Sequence, residues 1–360
     1  MPDSYFEANT GFYRPDMIND IRAEVARTNK RLEKYGLDST IFADEQRSSL
    51  FRVKTADAWM RQEQSQPMPR ELFGPLWLEG ELCILFADTN LGKSILAVQI
   101  GYNLAKGCET LPFTNQLDAP TRVLYVDFEL SAKQFESRYQ HPLHGGLHFG
   151  DYFFRAEFNP EAENPALYEN YDQYLAAQLN MAIINTKATV LIIDNITCMR
   201  KGTERAKDAL PLMKQLKALK TRHKLSLLVL AHTPKRNPAA PLTVNDLQGS
   251  KMLINFCDSA FAIGESQSSP GARYIKQIKQ RSNVQQYGEA NVCLAHIQKD
   301  LNKLIYVVDG YAPEAQHLQK RNRPQLQQQA RQLRRRGQTY RQISTRLGVP
   351  LSTIASWLVD

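Results

Sequence analysis

Cysteine is scarce in this chain of 360 residues. There are five (Cys83, Cys108, Cys198, Cys257, Cys293), an odd number, and none in C-x-x-C spacing. That excludes a disulfide frame and a zinc ribbon, and leaves buried thiols in a reducing cytoplasm as the expectation. Long apolar runs are missing too: none reaches the roughly 18 residues that a membrane span needs. The opening MPDSYFEANT lacks the basic-then-apolar profile of a secretion signal. No internal repeat of solenoid period is present. Acid is missing from one place only. From Lys320 onward there are nine basic residues and a single acid, Asp360. Their surplus equals the formal +8 of the whole chain, so the remaining 36 basic and 36 acidic residues cancel. The basic character belongs to a short tail, which is where a polyanion is expected to bind.

What is present is an alternation. A chain that is 42% hydrophobic and 23% charged suits one large domain plus something smaller. Between about 72 and 308 lie nine apolar runs: ELCILFA, TRVLYVDF, DYFFRAEF, ATVLIID, LSLLVLA, SAFAIG, ARYIKQIKQ, ANVCLAH and KLIYVV. The early ones are continuous, as in strands covered on both faces. They are separated by helix-length segments at 92–106, 163–184 and 205–222. The expected fold is an α/β domain with a mainly parallel sheet, helices on both faces and an antiparallel extension built by the last three runs. The chain divides into an N-terminal arm (1–60), the α/β domain (61–312), a linker (313–328) rich in Gln, Arg and Pro, and a small all-helical unit (329–360).

One loop carries chemistry. The run 81–87 is followed by Ala87, Asp88, Thr89, Asn90, Leu91, Gly92, Lys93 and Ser94, the end of a phosphate-binding pattern with alanine in place of its first glycine. Backbone N–H groups of Asn90 to Ser94 would face a β-phosphate, aided by the helix that follows. Lys93 would bridge β- and γ-phosphates of ATP, and the Ser94 hydroxyl would hold Mg²⁺. The run 188–194 ends in Asp194, a second Mg²⁺ candidate. The run 121–128 leads to Glu129 at a strand's carboxyl end, placed to deprotonate water.

These segments together resemble DnaB-type replicative helicases. Residues 87–94 are similar to that family's A-x-x-x-x-G-K-[ST] loop. Phe128-Glu-Leu-Ser-Ala-Lys-Gln-Phe135 is similar to its L-E-M-S-x-x-Q-L segment, which implies Glu129 as catalytic base. Asp246-Leu-Gln-Gly-Ser-Lys-Met-Leu-Ile-Asn-Phe-Cys-Asp-Ser-Ala-Phe-Ala-Ile263 resembles its DLRxSGxIEQDADxIxFI stretch, and Lys279-Gln280-Arg281 its KQR. The resemblance implies a RecA-like P-loop core, a hexameric ring, and Lys279 and Arg281 reaching a neighbour's γ-phosphate. There are departures: the N-terminal segment is too short for a primase-binding domain. The sensor strand ends LAHTPK, placing His232 where glutamine is usual, a variant similar to RepA-like plasmid helicases. In a ring, Lys201 (with Arg200, Arg205 and Lys207), Lys235 and Arg236 would line the hole and track single-stranded DNA.

The tail ARQLRRRGQTYRQISTRLGVPLSTIASWL has a three-helix rhythm. Ala330 and Leu333 fall on a first helix ended by Gly337, Tyr340, Ile343 and Leu347 on a second, and Ile354, Trp357 and Leu358 on a third capped by Ser352. It resembles the helix-turn-helix of resolvases. That implies Ser352, Thr353 and Ser356 facing a duplex major groove, with Arg334, Arg335 and Arg336 on phosphates. Two functions stay open: an ATP-driven DNA motor of a plasmid or mobile element, acting in replication or mobilisation, and an ATP-gated DNA-binding switch that never unwinds. A metabolic kinase is disfavoured, because no acceptor-substrate domain is visible.

Overall fold

Six largely apolar runs become parallel strands, the first five each followed by a helix that reverses the chain before the next strand. In the computed structural model they are β1 (Leu82–Ala87), β2 (Val123–Asp127), β5 (Phe153–Glu157), β6 (Val190–Asp194), β7 (Ser226–His232) and β8 (Ser259–Glu265). Three more, β9 (Arg273–Lys279), β10 (Val292–Asp300) and β11 (Lys303–Ala312), complete one nine-stranded sheet. Its order is β11-β10-β9-β8-β1-β7-β6-β2-β5, parallel from β8 to β5 and antiparallel from β8 to β11. All nine expected runs are in it. A two-residue pair, β3 (Gln140–His141) with β4 (Gly145–Gly146), stands apart.

The structure describes residues 51–358 apart from 110–111, 160, 164, 166–167, 169, 197–205, 249–250, 319–322 and 348. Residues 1–50 of the arm expected at 1–60, together with Arg200, Lys201 and Arg205, therefore lie outside the described residues. Two compact units divide at Met68/Pro69. In the first, the helix α1 (Ala56–Gln64) starts at Thr55, whose hydroxyl accepts from the Ala58 N–H at 3.2 Å.

In the second unit, side-chain alternation along β1 builds two cores at once. Leu82, Ile84 and Phe86 join one cluster with Leu216 and Leu219 of α5 (Ala206–His223); Cys83, Leu85 and Ala87 join the other with Leu96 and Leu104 of α2 (Lys93–Lys106). A strand buried on both faces is the reason the run reads as unbroken apolar sequence. The helix α4 (Tyr171–Thr186) begins later than the expected 163, because Asn170 caps it by accepting from the Gln173 N–H at 3.0 Å. Shorter helices follow the strand ends: α3 (Ala132–Arg138), α6 (Lys251–Phe256) and α7 (Ala315–Leu318).

The start of the expected linker is instead packed. Glu314 is 1% exposed and accepts from the Lys276 ammonium and from the Leu242 N–H at 2.8 Å. The buried ion pair fixes 313–318 against the sheet, and a further helix, α8 (Arg323–Arg335), already occupies the segment's end. The composition suggested a linker because Gln and Arg are polar; one buried glutamate overrides it.

The last three helices, α8, α9 (Tyr340–Leu347) and α10 (Leu351–Leu358), share a core of Ala330, Leu333, Ile343, Val349, Ile354 and Trp357. Ser352 differs from expectation: α10 begins at Leu351, and the Ile354 N–H bonds to the Pro350 carbonyl at 3.0 Å, so Ser352 sits inside the first turn rather than capping it. Among the described residues no helix is long and apolar enough to cross a membrane.

Candidate active site

The sheet order places the ends of β1, β7, β6 and β2 side by side. Ala87 registers with His232, and Asp127 with Asp194. Every chemical group anticipated for hydrolysis except the Lys279–Arg281 pair therefore emerges at one edge, the carboxyl edge of the parallel strands, where open α/β sheets bind ligands.

The phosphate loop turns through two left-handed residues, Asn90 (φ 65°) and Gly92 (φ 90°), before α2 begins at Lys93. Two side chains from remote strands hold this turn. Tyr306 of β11 and Arg273 of β9 both donate to the Leu91 carbonyl, the arginine at 3.0 Å. A Cβ on Gly92 would lie 2.5 Å from Ile297 Cδ1 and 3.0 Å from the Tyr306 hydroxyl. We expect Gly92→Ala to add roughly 1–2 kcal/mol of backbone strain and an overpacking cost of similar size. Its readout is a lower melting temperature together with lost nucleotide affinity; an unshifted melting curve would contradict the packing described.

Lys93 is 6% exposed, and its ammonium donates to the Ala87 carbonyl at 2.9 Å, the Asp88 carbonyl at 3.1 Å and His232 Nδ1 at 3.1 Å. Burial pulls its pKa below the ordinary amine value, opposed by Asp194, Glu129 and Asp88. Thr233 donates to the Asp88 carboxylate and ties the loop's start to the end of β7. Thr89 and Asn90 are exposed and Ser94 half-buried.

Asp194 is 1% exposed. Its Oδ2 accepts from the Tyr125 hydroxyl at 2.5 Å, while Oδ1 is buried without a hydrogen-bond partner among the described residues. Burial pushes its pKa up to about 6, offset in part by Ser94 and Tyr125. An orphaned carboxylate oxygen beside a serine hydroxyl is the donor set a hard divalent cation takes when phosphates complete its shell. Among the described residues no group of three or more His, Cys, Asp or Glu could hold a metal ion.

Glu129 is fixed from below. Its N–H and that of Leu130 both bond to Asp127 Oδ1, at 3.0 and 2.9 Å, and α3 follows at once through a reciprocal cap between Ser131 and Gln134. Arg155 of β5 holds Asp127 Oδ2 at 3.0 Å and also donates to the Leu130 carbonyl. The Glu129 carboxylate accepts from Asn195 and meets His232 Nε2 at 3.3 Å. The His232 hydrogen bond is the largest influence holding its pKa below the usual carboxylate range, with burial opposing. His232→Ala should therefore raise that pKa and move the acid limb of the pH–rate profile to higher pH. An acid limb that stays in place would remove His232 from this role.

The remaining expected residues lie elsewhere. Lys279 pairs with Ala260, three rungs below the Ala87–Ile263 pair, so Lys279 and Arg281 sit at the opposite edge from their own phosphate loop. There they grip the end of α6. Lys279 donates to the Ile254 carbonyl and to Cys257 at 2.8 Å; Arg281 donates to Asn255 at 2.8 Å and pairs with Asp258 at 3.5 Å. Lys235 is exposed, whereas Arg236 turns inward, its side chain 7% exposed, onto Asp246 at 3.0 Å and the Ala240 carbonyl. Arg236 therefore braces its loop and does not stand free for the DNA contact expected of it in a ring's hole. In the tail Arg335, Arg336, Ser352 and Ser356 are exposed and Thr353 is half-buried; Arg334 lies over the Tyr340 ring at 4.8 Å.

Sequence reasoning missed Asn195, Tyr125, Arg273 and Tyr306. Asn195 directly follows Asp194 and could have been suspected from that alone; the other three carry no local signal. The edge described defines a P-loop ATPase domain on a mainly parallel α/β sheet. A family profile described as "AAA domain" matches residues 47–238, more than half of the chain, and the protein belongs to that family. No curated protein matches it. Among solved structures, a KaiC-like protein from the hyperthermophilic archaeon Pyrococcus horikoshii OT3 is similar over 64% of this chain and 90% of its own, at 13% identity and a TM-score of 0.40.

Proposed function

We propose that this chain is a DNA-dependent ATP hydrolase working as an oligomer, a hexamer of helicase type serving replication or mobilisation of a plasmid or mobile element. The observation carrying it is one chain that joins a hydrolytic sheet edge to a three-helix core bearing six exposed arginines (Arg331, Arg334, Arg335, Arg336, Arg341, Arg346). Backbone N–H groups of 90–94 and the Lys93 ammonium would take the phosphates; Ser94 and Asp194 would hold Mg²⁺, which neutralises phosphate charge when bound. Glu129 would accept a proton from water, and His232, touching both Lys93 and Glu129, would report the γ-phosphate. Lys279 and Arg281 would serve a neighbouring protomer, since their own loop is at the far edge. Lys235 and Lys201 would contact single-stranded DNA, and the tail would hold duplex through Arg335, Arg336, Ser352, Thr353 and Ser356.

A second function, an ATP-gated DNA-binding switch, is favoured by the way Lys279 and Arg281 are already engaged with α6. Strand displacement separates the two. Unwinding that needs both Lys93 and Arg281 supports the motor; nucleotide-dependent duplex binding without unwinding supports the switch. Arg281→Ala protein that hydrolyses ATP normally would sink the assignment across protomers. Deleting 320–360 should flatten the salt dependence of duplex binding and spare basal hydrolysis; an unchanged salt slope would reject the tail's role.

A further inference from the structure

We propose that Asn195 is a positioning residue for hydrolysis, anchoring one oxygen of the Glu129 carboxylate so that the other is left to take a proton from water. The inference rests on Glu129 being the base. Asn195 is 0% exposed and stands one residue past the end of β6, and its amide donates to Glu129 Oε1. His232 Nε2 reaches the same oxygen at 3.3 Å, with the two nitrogens 2.8 Å apart. The ring's other nitrogen faces the Lys93 ammonium at 3.1 Å. An ammonium can only donate, so with Lys93 in place Nδ1 accepts, the imidazole proton sits on Nε2 aimed at Glu129, and the Asn195 amide, itself a donor, bonds to Glu129 and not to the ring.

Two N–H groups thus converge on Oε1, while Oε2 has no hydrogen-bond partner among the described residues. The carboxylate is one-third exposed on its open side. That division of labour is what a general base requires: one oxygen immobilised, one directed at solvent. The two anchors differ in rigidity. His232 is shared with Lys93, which phosphate oxygens would compete for. Asn195 is fully buried and directly follows the strand that carries Asp194. When Lys93 turns to a phosphate, the imidazole loses its partner on Nδ1, and Asn195 is left as the fixed anchor of Glu129.

The test compares the full-length protein with Asn195→Ala, Asn195→Asp, Glu129→Gln and the Asn195→Ala/Glu129→Gln pair, measuring kcat, KM and the affinity for a fluorescent non-hydrolysable ATP analogue. We expect Asn195→Ala to lower kcat about 10- to 100-fold, the scale of a misplaced reacting group, with analogue affinity nearly unchanged. The double variant should be no slower than Glu129→Gln alone, since both changes act through one carboxylate. The isosteric Asn195→Asp keeps the shape and removes the donor, so it carries the test if the alanine variant does not fold. It should lower kcat and move the acid limb of the pH profile upward. Unchanged kcat, equal losses in kcat and affinity, or additive losses in the double variant would each overturn the proposal. Wild-type turnover by Glu129→Gln would instead remove the base itself, a result distinguishable from failure of Asn195 alone.

Discussion

Lys93→Ala is expected to abolish ATP turnover, with kcat/KM lower by about 10³-fold or more, the scale for losing a fixed cation from a phosphoryl-transfer site. The Lys93 ammonium touches the loop's start, its second residue and His232 together. Its removal takes away the positive charge facing the phosphates and also unties His232 from the loop. Because a desolvated ammonium is costly to bury, the variant need not melt earlier, and a retained melting temperature would show that the loss is chemical. Nucleotide affinity should fall along with kcat, since the ammonium contacts phosphate in ground and transition states alike. Full turnover by Lys93→Ala would refute the phosphate-loop assignment and with it the entire site.

Glu129→Gln should behave differently. The amide keeps the size and its hydrogen-bonding capacity but cannot take a proton. ATP binding should survive while kcat drops about 10²- to 10⁴-fold, the usual contribution of a general base. In single-turnover measurements the rate of the chemical step should fall as well, because it is chemistry and not nucleotide binding that the variant affects. The contrast with Lys93→Ala is the informative part: one variant loses binding and chemistry, the other chemistry alone. If Glu129→Gln loses affinity as strongly as turnover, Glu129 is holding the loop and not the water. Asp127, two residues earlier, would then be the acid to examine, but both its oxygens are already engaged by the Glu129 and Leu130 N–H groups and by Arg155.

Much of this edge was legible in the chain. The inner parallel strands are covered on both faces, so their runs are almost wholly apolar, and three of them end on a polar residue: Asp127 on β2, Asp194 on β6, His232 on β7. The loop was legible because Gly92 and Lys93 follow an apolar strand and open a helix. The tail's core was legible because helical spacing alone sorts Ala330, Leu333, Ile343, Ile354 and Trp357 to one side. Where the reading went astray, a local signal was overruled by a distant partner. From its neighbours Arg236 reads as a loop cation free to meet DNA, yet Asp246, ten residues on, draws it inward. Residues 313–318 looked like linker, yet Lys276 and Leu242 fasten Glu314 to the sheet.

By itself the sequence determined the elements: which runs become strands, where the phosphate loop turns, which acids terminate strands, and where the positive charge collects. These follow from side-chain period, glycine placement and charge, all properties of neighbours along the chain. Only the tertiary structure decided which of those ends meet. It set β1 between β7 and β8, brought Tyr306 and Arg273 onto Leu91, Tyr125 onto Asp194 and Asn195 onto Glu129, and sent Lys279 and Arg281 to the opposite edge. The physical reason is that strand order and register are fixed by packing between residues tens to hundreds of positions apart, for which no local pattern carries a signal.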